Sequence, residues 1–114
     1  MSKIENIIFR AWEEKNPKLL ESILAKDFKW HEDSYSPAFT DVSKLISQWQ
    51  NDIKEHEDVQ INSAEILKDE NITVTHWRAK FSKNSKKVEV DGVFIITENK
   101  DGKLKEFKQW TQAR

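Results

Sequence analysis

Apolar residues recur at helical spacing in the first half of the chain and alternate in the second, and the change of period at Val59 orders the fold. Ser2 and Glu5 have the spacing of a capping box, and Ile4, Ile7, Ile8 and Trp12 form one stripe, which predicts a helix from Ser2 to Glu14. Asn16-Pro17 reads as a cap followed by proline at the first helical position. It opens a short second helix that turns Leu20, Ile23 and Leu24 inward and ends near Lys26. Phe28 to Glu32 alternates as a short strand, and Asp33 to Pro37 breaks into a loop. Asp41 can cap a third helix carrying Val42, Leu45, Ile46, Trp49 and Ile53 on one face.

Four longer strands follow, Val59 to Leu67, Ile72 to Phe81, Lys87 to Glu98 and Leu104 to Thr111, joined by polar turns short enough for hairpins. The expected class is therefore α+β: three N-terminal helices packed on a strongly bent, mainly antiparallel sheet, in a single domain over residues 1–114. In the first long strand the apolar set changes parity between Ile61 and Ala64, which a β-bulge would explain. In the third, Val93, Phe94, Ile95 and Ile96 are apolar on both faces, so something must cover the second face. A partner subunit is the simplest cover.

Composition narrows the functional classes. The 114 residues carry 19 Lys+Arg against 20 Asp+Glu, a net charge of -1, so no global field steers nucleic acid or an anionic membrane toward the chain. Lysines cluster near two turns, but they alternate with acids and lack interleaved aromatics, so no nucleic-acid surface is expected. With no cysteine, thiolate chemistry, disulfides and cysteine-based zinc sites are excluded. The opening Met1 to Asn6 lacks a signal peptide's apolar stretch and no run reaches transmembrane length, which makes a cytoplasmic protein without membrane contact the expectation. Phosphate-cradling loops, Rossmann glycines, nucleophile elbows and H-E-x-x-H are all lacking, so neither cofactor nor metal is implied.

Several stretches together resemble the nuclear transport factor 2-like superfamily, with its SnoaL-like cyclases and ketosteroid-isomerase-like proteins. They are Asp27-Phe28-Lys29-Trp30-His31-Glu32-Asp33, Thr75-His76-Trp77-Arg78-Ala79-Lys80-Phe81, Asp91 to Ile96 leading to Asp101-Gly102-Lys103-Leu104, and the closing Glu106-Phe107-Lys108-Gln109-Trp110. The resemblance runs from about Ile4 to Trp110 and is nearest a bacterial branch without a settled activity. It implies a cone-shaped α+β barrel whose interior binds small apolar molecules, and homodimers formed through the sheet. Since the superfamily includes isomerases, cyclases, dehydratases, hydrolases and non-catalytic binders, it does not choose a reaction.

Alternation chooses sides. If Glu106 and Lys108 face outward, Phe107, Gln109 and Thr111 face in and Trp110 out; if His76, Arg78 and Lys80 face out, Thr73, Thr75, Trp77, Ala79 and Phe81 face in. Phe28, Trp30 and Glu32 share a side, which makes Glu32 the one carboxylate placed in the interior. The resemblance puts it near a catalytic acid of ketosteroid-isomerase-like members, where apolar surroundings would raise its pKa toward general-base use. The alternative is an ordinary strand-end acid, solvated or paired with lysine. Gln109 stands where many relatives carry a second acid, and an amide can orient a ligand but cannot donate a proton as an acid.

His31 could shuttle protons if the strand end twists it toward Glu32, while His56, at the polar end of the third helix, and His76, on the outer face, have no such place. Tyr35 could donate to a bound carbonyl or pack on the rim. Of the five tryptophans, Trp12 and Trp49 read as core, Trp30 and Trp77 as walls with Phe81 and Phe107, and Trp110 as facing a partner.

These readings leave three functions. One is a binding domain for a small apolar ligand without catalysis, which the missing second acid favours. Another is a cofactor-independent isomerase, cyclase, dehydratase or hydrolase with Glu32 as base. The third is a protein-interaction adaptor using an outer sheet face around Trp110, Phe94 and Ile96.

Overall fold

The computed structural model describes residues 3–114. Helix α1 spans Lys3–Glu13 and buries Ile4, Ile8, Phe9 and Ala11 along one stripe. The capping box begins at Ser2, outside the described residues; its Glu5 is buried and accepts a hydrogen bond from Thr75 Oγ1 at 2.7 Å.

The expected second α-helix is a 3-10 segment, Pro17–Ser22, and Asn16 makes no side-chain cap. Strand β1, Leu24–His31, starts where that helix was expected to continue. Six residues, the leading proline among them, form too short a run for stable α-helical hydrogen bonding, and Leu24 is drawn into register with Leu104.

After β1, Asp33 Oδ1 accepts from the backbone N–H groups of Tyr35 and Ser36, which closes the loop, and Phe39 returns to pair with Trp30. Asp41 then accepts from Ser43 N at 2.9 Å and Lys44 N at 3.2 Å, capping helix α2, Val42–Ile53. Leu45, Ile46, Trp49 and Ile53 are its buried face.

Strands β2 (His56–Asp69), β3 (Ile72–Lys83), β4 (Lys86–Glu98) and β5 (Leu104–Ala113) form an antiparallel meander, and β1 adds parallel to β5. The resulting mixed sheet has the order β1-β5-β4-β3-β2 and is open, with β1 and β2 at its edges, rather than closed into a barrel. Asn84 and Ser85, both at positive φ, make the two-residue turn between β3 and β4, a geometry whose twist matches the strands it joins.

The β-bulge falls elsewhere than the sequence indicated. Pairing from Ile61 to Ala64 is uninterrupted, and the register shifts instead between Glu57 and Gln60 and between Glu65 and Leu67. Asp58 at φ +54° marks the first shift, while Ile66 and Leu67 at the second are 62% and 53% exposed. The apolar parity change is thus partly a surface feature.

The outer face also needs correction. Phe94 and Ile96 pair directly with Gln109 and Phe107 and are buried on the inner side, since residues opposite one another share a face. Val93, opposite Trp110, and Ile95, opposite Lys108, are the half-buried apolar residues outside.

Candidate functional site

Inward alternation on β3, β4 and β5 and the buried stripes of α1 and α2 meet over the sheet. One end of this interior is filled by Leu20, Trp30, Leu45, Leu104 and Phe107, each at most 1% exposed. The other end leaves a half-open cavity of about 200 Å³ whose walls are mainly apolar, built from Trp12, Trp49, Trp77, Phe81 and Phe94. Glu32, Asp52, His56, Gln109 and Thr111 bring its polar atoms.

Glu32 follows the last residue of β1, where the strand ends and the chain turns into its loop. Its Oε2 accepts hydrogen bonds from two indoles, Trp30 Nε1 at 2.5 Å and Trp49 Nε1 at 3.3 Å. Gln109 Nε2 donates to the Glu32 backbone carbonyl at 3.4 Å. The strand end, the helix and the sheet thus all hold this residue. Burial pushes its carboxyl pKa up; the Trp30 and Trp49 hydrogen bonds pull it back in part, while the neighbouring charges of Asp52 and Asp33 add to the rise.

Across the cavity, His56 stacks on Phe81 with ring centroids 3.9 Å apart, and Trp12 Nε1 donates to its Nδ1 at 3.0 Å. An indole can only donate, so His56 Nδ1 is unprotonated and the proton of the neutral ring lies on Nε2. Burial, chiefly, and then Lys83 lower the His56 pKa, which favours the neutral ring.

A sequence profile of the SnoaL-like domain matches residues 7–107. The chain belongs to the SnoaL-like family, within the nuclear transport factor 2-like superfamily. Solved structures agree at the level of fold. A Catenulispora acidiphila protein of ketosteroid isomerase-like fold, in complex with trimethylamine, superposes with TM-score 0.81 at 11% identity over 96% of this chain and 85% of its own. A candidate SnoaL-like polyketide cyclase from Jannaschia gives 0.72 at 14% identity over 98% and 90%. An epoxide hydrolase-like protein of Mycobacterium tuberculosis gives 0.71 at 9% over 96% and 80%. No curated protein matches in sequence.

Within this SnoaL-like domain the residues singled out from sequence separate. Glu32, Trp77, Phe81 and Gln109 meet at the cavity. Trp30 and Phe107 do not line it: they stack on each other at 3.8 Å and 14° behind Glu32, and Trp30 reaches the site only through its N–H. Tyr35 is 98% exposed in the loop. His31 points to the outer side, with Nε2 3.7 Å from Glu106, because it is paired with outward Lys108 rather than inward Phe107. The strand end does not twist it toward Glu32, so the condition for a proton shuttle is not met.

Sequence reasoning missed His56, Asp52, Trp12 and Trp49 as cavity residues. From the sequence His56 reads as the polar end of the third helix, but α2 stops at Ile53, β2 begins at His56, and the bulge at Asp58 sets the side of these first residues so that the ring lies on Phe81. Trp12 and Trp49 were legible as inward, but a helix stripe does not show that the space it faces is unfilled. Among the described residues no three metal-ligating side chains converge, and no helix is long and apolar enough to cross a membrane.

Proposed function

We propose that this SnoaL-like domain binds a compact, largely apolar small molecule in the cavity over β3 to β5. The observation that carries the reading is an unfilled, aromatic-walled space with one carboxylate held at its edge by two indoles. At about 200 Å³ the space exceeds the roughly 150 Å³ apolar cavity known to admit benzene and falls below the roughly 300–1,000 Å³ of drug-sized sites. A ligand little larger than benzene fits; a fused-ring polyketide or steroid would need the walls to move. The trimethylamine held by the Catenulispora neighbour is of this compact size.

The test is an NMR titration of the five indole N–H resonances with compact apolar probes such as benzene. Binding in the cavity shifts Trp12, Trp49 and Trp77 and spares Trp110. Unperturbed indoles at probe saturation in water would end the reading.

A second reading, catalysis of a proton transfer by Glu32, is favoured by one observation. Both indoles converge on Oε2, so Oε1 has no donor among the described residues and can take a proton. Glu32→Gln then abolishes turnover and leaves ligand binding intact, whereas a pure binder retains its ligand unconverted. We further read the outer face around Trp110, which is 47% exposed, and Val93 as the seat of a second copy; Trp110→Lys should turn a dimer into a monomer by light scattering.

A further inference from the structure

We propose that the ligand of this cavity is a small organic cation, a tertiary or quaternary ammonium, held by the aromatic walls and by Glu32 and Asp52. The inference rests on the reading of the cavity as a small-molecule site and names its ligand class.

The first ground is charge. Two carboxylate residues line the cavity and no lysine or arginine does. Glu32 makes no ion pair among the described residues, and both of its hydrogen bonds come from neutral indoles. A neutral ligand that displaced water from this carboxylate would leave a charge in apolar surroundings without a counter-charge, and an anion would add to the repulsion. An ammonium supplies the missing partner.

The second ground is the geometry of the walls. Trp12 meets Trp77 at 87° with centroids 5.6 Å apart and Phe81 at 62° and 5.7 Å. Rings set at steep angles to one another form the corner of a box, the arrangement in which several negative π-faces surround one cation. Tryptophan provides the strongest such face, and Trp49 adds a third indole to the lining.

The third ground is the donor set. A hydrated metal ion demands several oxygen ligands, and two carboxylates among aromatic carbon do not provide them. A methylated ammonium has a weakly hydrated, apolar surface that matches the walls. The lysines nearest His56, Lys83 and Lys15, oppose a cation only at that side of the cavity, where they already disfavour the protonated ring.

The experiment compares choline with its uncharged isostere 3,3-dimethylbutan-1-ol on the full chain at pH 7, by calorimetry and by the indole resonances. The proposal expects choline to bind at least about tenfold more tightly, the size of a desolvated cation–π and charge contact. In Glu32→Gln the ratio should fall to about two- to threefold, the part that the aromatic walls and Asp52 retain, while the isostere's affinity stays within about twofold. Asp52→Asn, nearer the solvent, should lower the ratio by about two- to threefold and serves if the first variant does not fold. An isostere that binds as tightly as choline overturns the cation and leaves the small-molecule reading standing. If neither probe moves Trp12, Trp49 or Trp77, both fall together.

Discussion

The two ends of the interior are both rich in aromatic residues, yet one is solid and the other hollow. At the filled end Trp30 and Phe107 lie nearly parallel at 3.8 Å, with Phe94 5.3 Å from Phe107. At the hollow end Trp12, Trp77 and Phe81 meet at steep angles and leave the cavity between them. The stacked pair on adjacent strands fills its end, while at the other end no side chain among the described residues fills the space that these rings border.

One glycine sets the difference. Gly92 lies directly opposite Trp77 in the sheet, and a Cβ there would come within 2.4 Å of the Trp77 ring. Its lack of a side chain lets the indole lie down on β4 as the cavity floor. The indole nitrogen is buried there without a hydrogen-bond partner among the described residues, which further marks the wall as shaped for a space rather than for close packing.

Truncation should separate the two ends most clearly. Phe107→Ala in the filled end should cost about 3–5 kcal/mol in denaturant unfolding. Trp12→Ala, which faces the cavity and is only partly buried, should cost no more than about 2 kcal/mol. Equal losses would mean that the hollow end is packed in solution.

Gly92→Ala should cost about 1–3 kcal/mol by forcing the Trp77 ring off the sheet. Adding Trp77→Leu should recover part of that loss, a coupling of about 0.5–3 kcal/mol in a double-mutant cycle. Strict additivity would show that the glycine does not hold the ring.

Glu32→Gln should act in the opposite direction and stabilise the protein at pH 7 by about 0.5–2 kcal/mol, as happens when a site residue is strained for function. Burial raises the Glu32 pKa above its unfolded value, so the native state keeps a proton that the unfolded chain has lost. The contribution is therefore fully present below the ordinary glutamate range and lost as pH rises through the raised value. Thermal melts across that window should show the wild type losing stability relative to the variant as pH increases; parallel curves would contradict the burial of this charge. The smallest effect is expected at Tyr35: Tyr35→Ala should change stability by no more than about 0.5 kcal/mol and leave ligand binding unaltered.

Much of this arrangement was legible in the chain. Alternation placed Thr73, Thr75, Trp77, Ala79 and Phe81 inside, and each is at most 8% exposed. It also put Glu32 and Gln109 on the side where they meet. His56 was hidden because it read as the polar end of the third helix, whereas α2 ends at Ile53 and β2 already begins at His56, with the bulge at Asp58 setting its side; nothing in a single sequence announces where a bulge falls. Trp30 was placed on the correct side but one layer too shallow. Facing inward does not distinguish a wall from what lies behind it, and only its stacking on Phe107 decides. The short proline-led segment read as α-helix because its spacing suits both helix types over so few residues.

The most direct test of the central claim, a half-buried carboxylate at the edge of an aromatic cavity, is a pH titration of the indole N–H resonances of 15N-labelled protein. Trp30 and Trp49, which donate to Glu32, should shift together with one midpoint above the ordinary glutamate range, while Trp110 on the outer face stays still. Two resonances that do not titrate, or that do so at an unshifted carboxylate value, would contradict it.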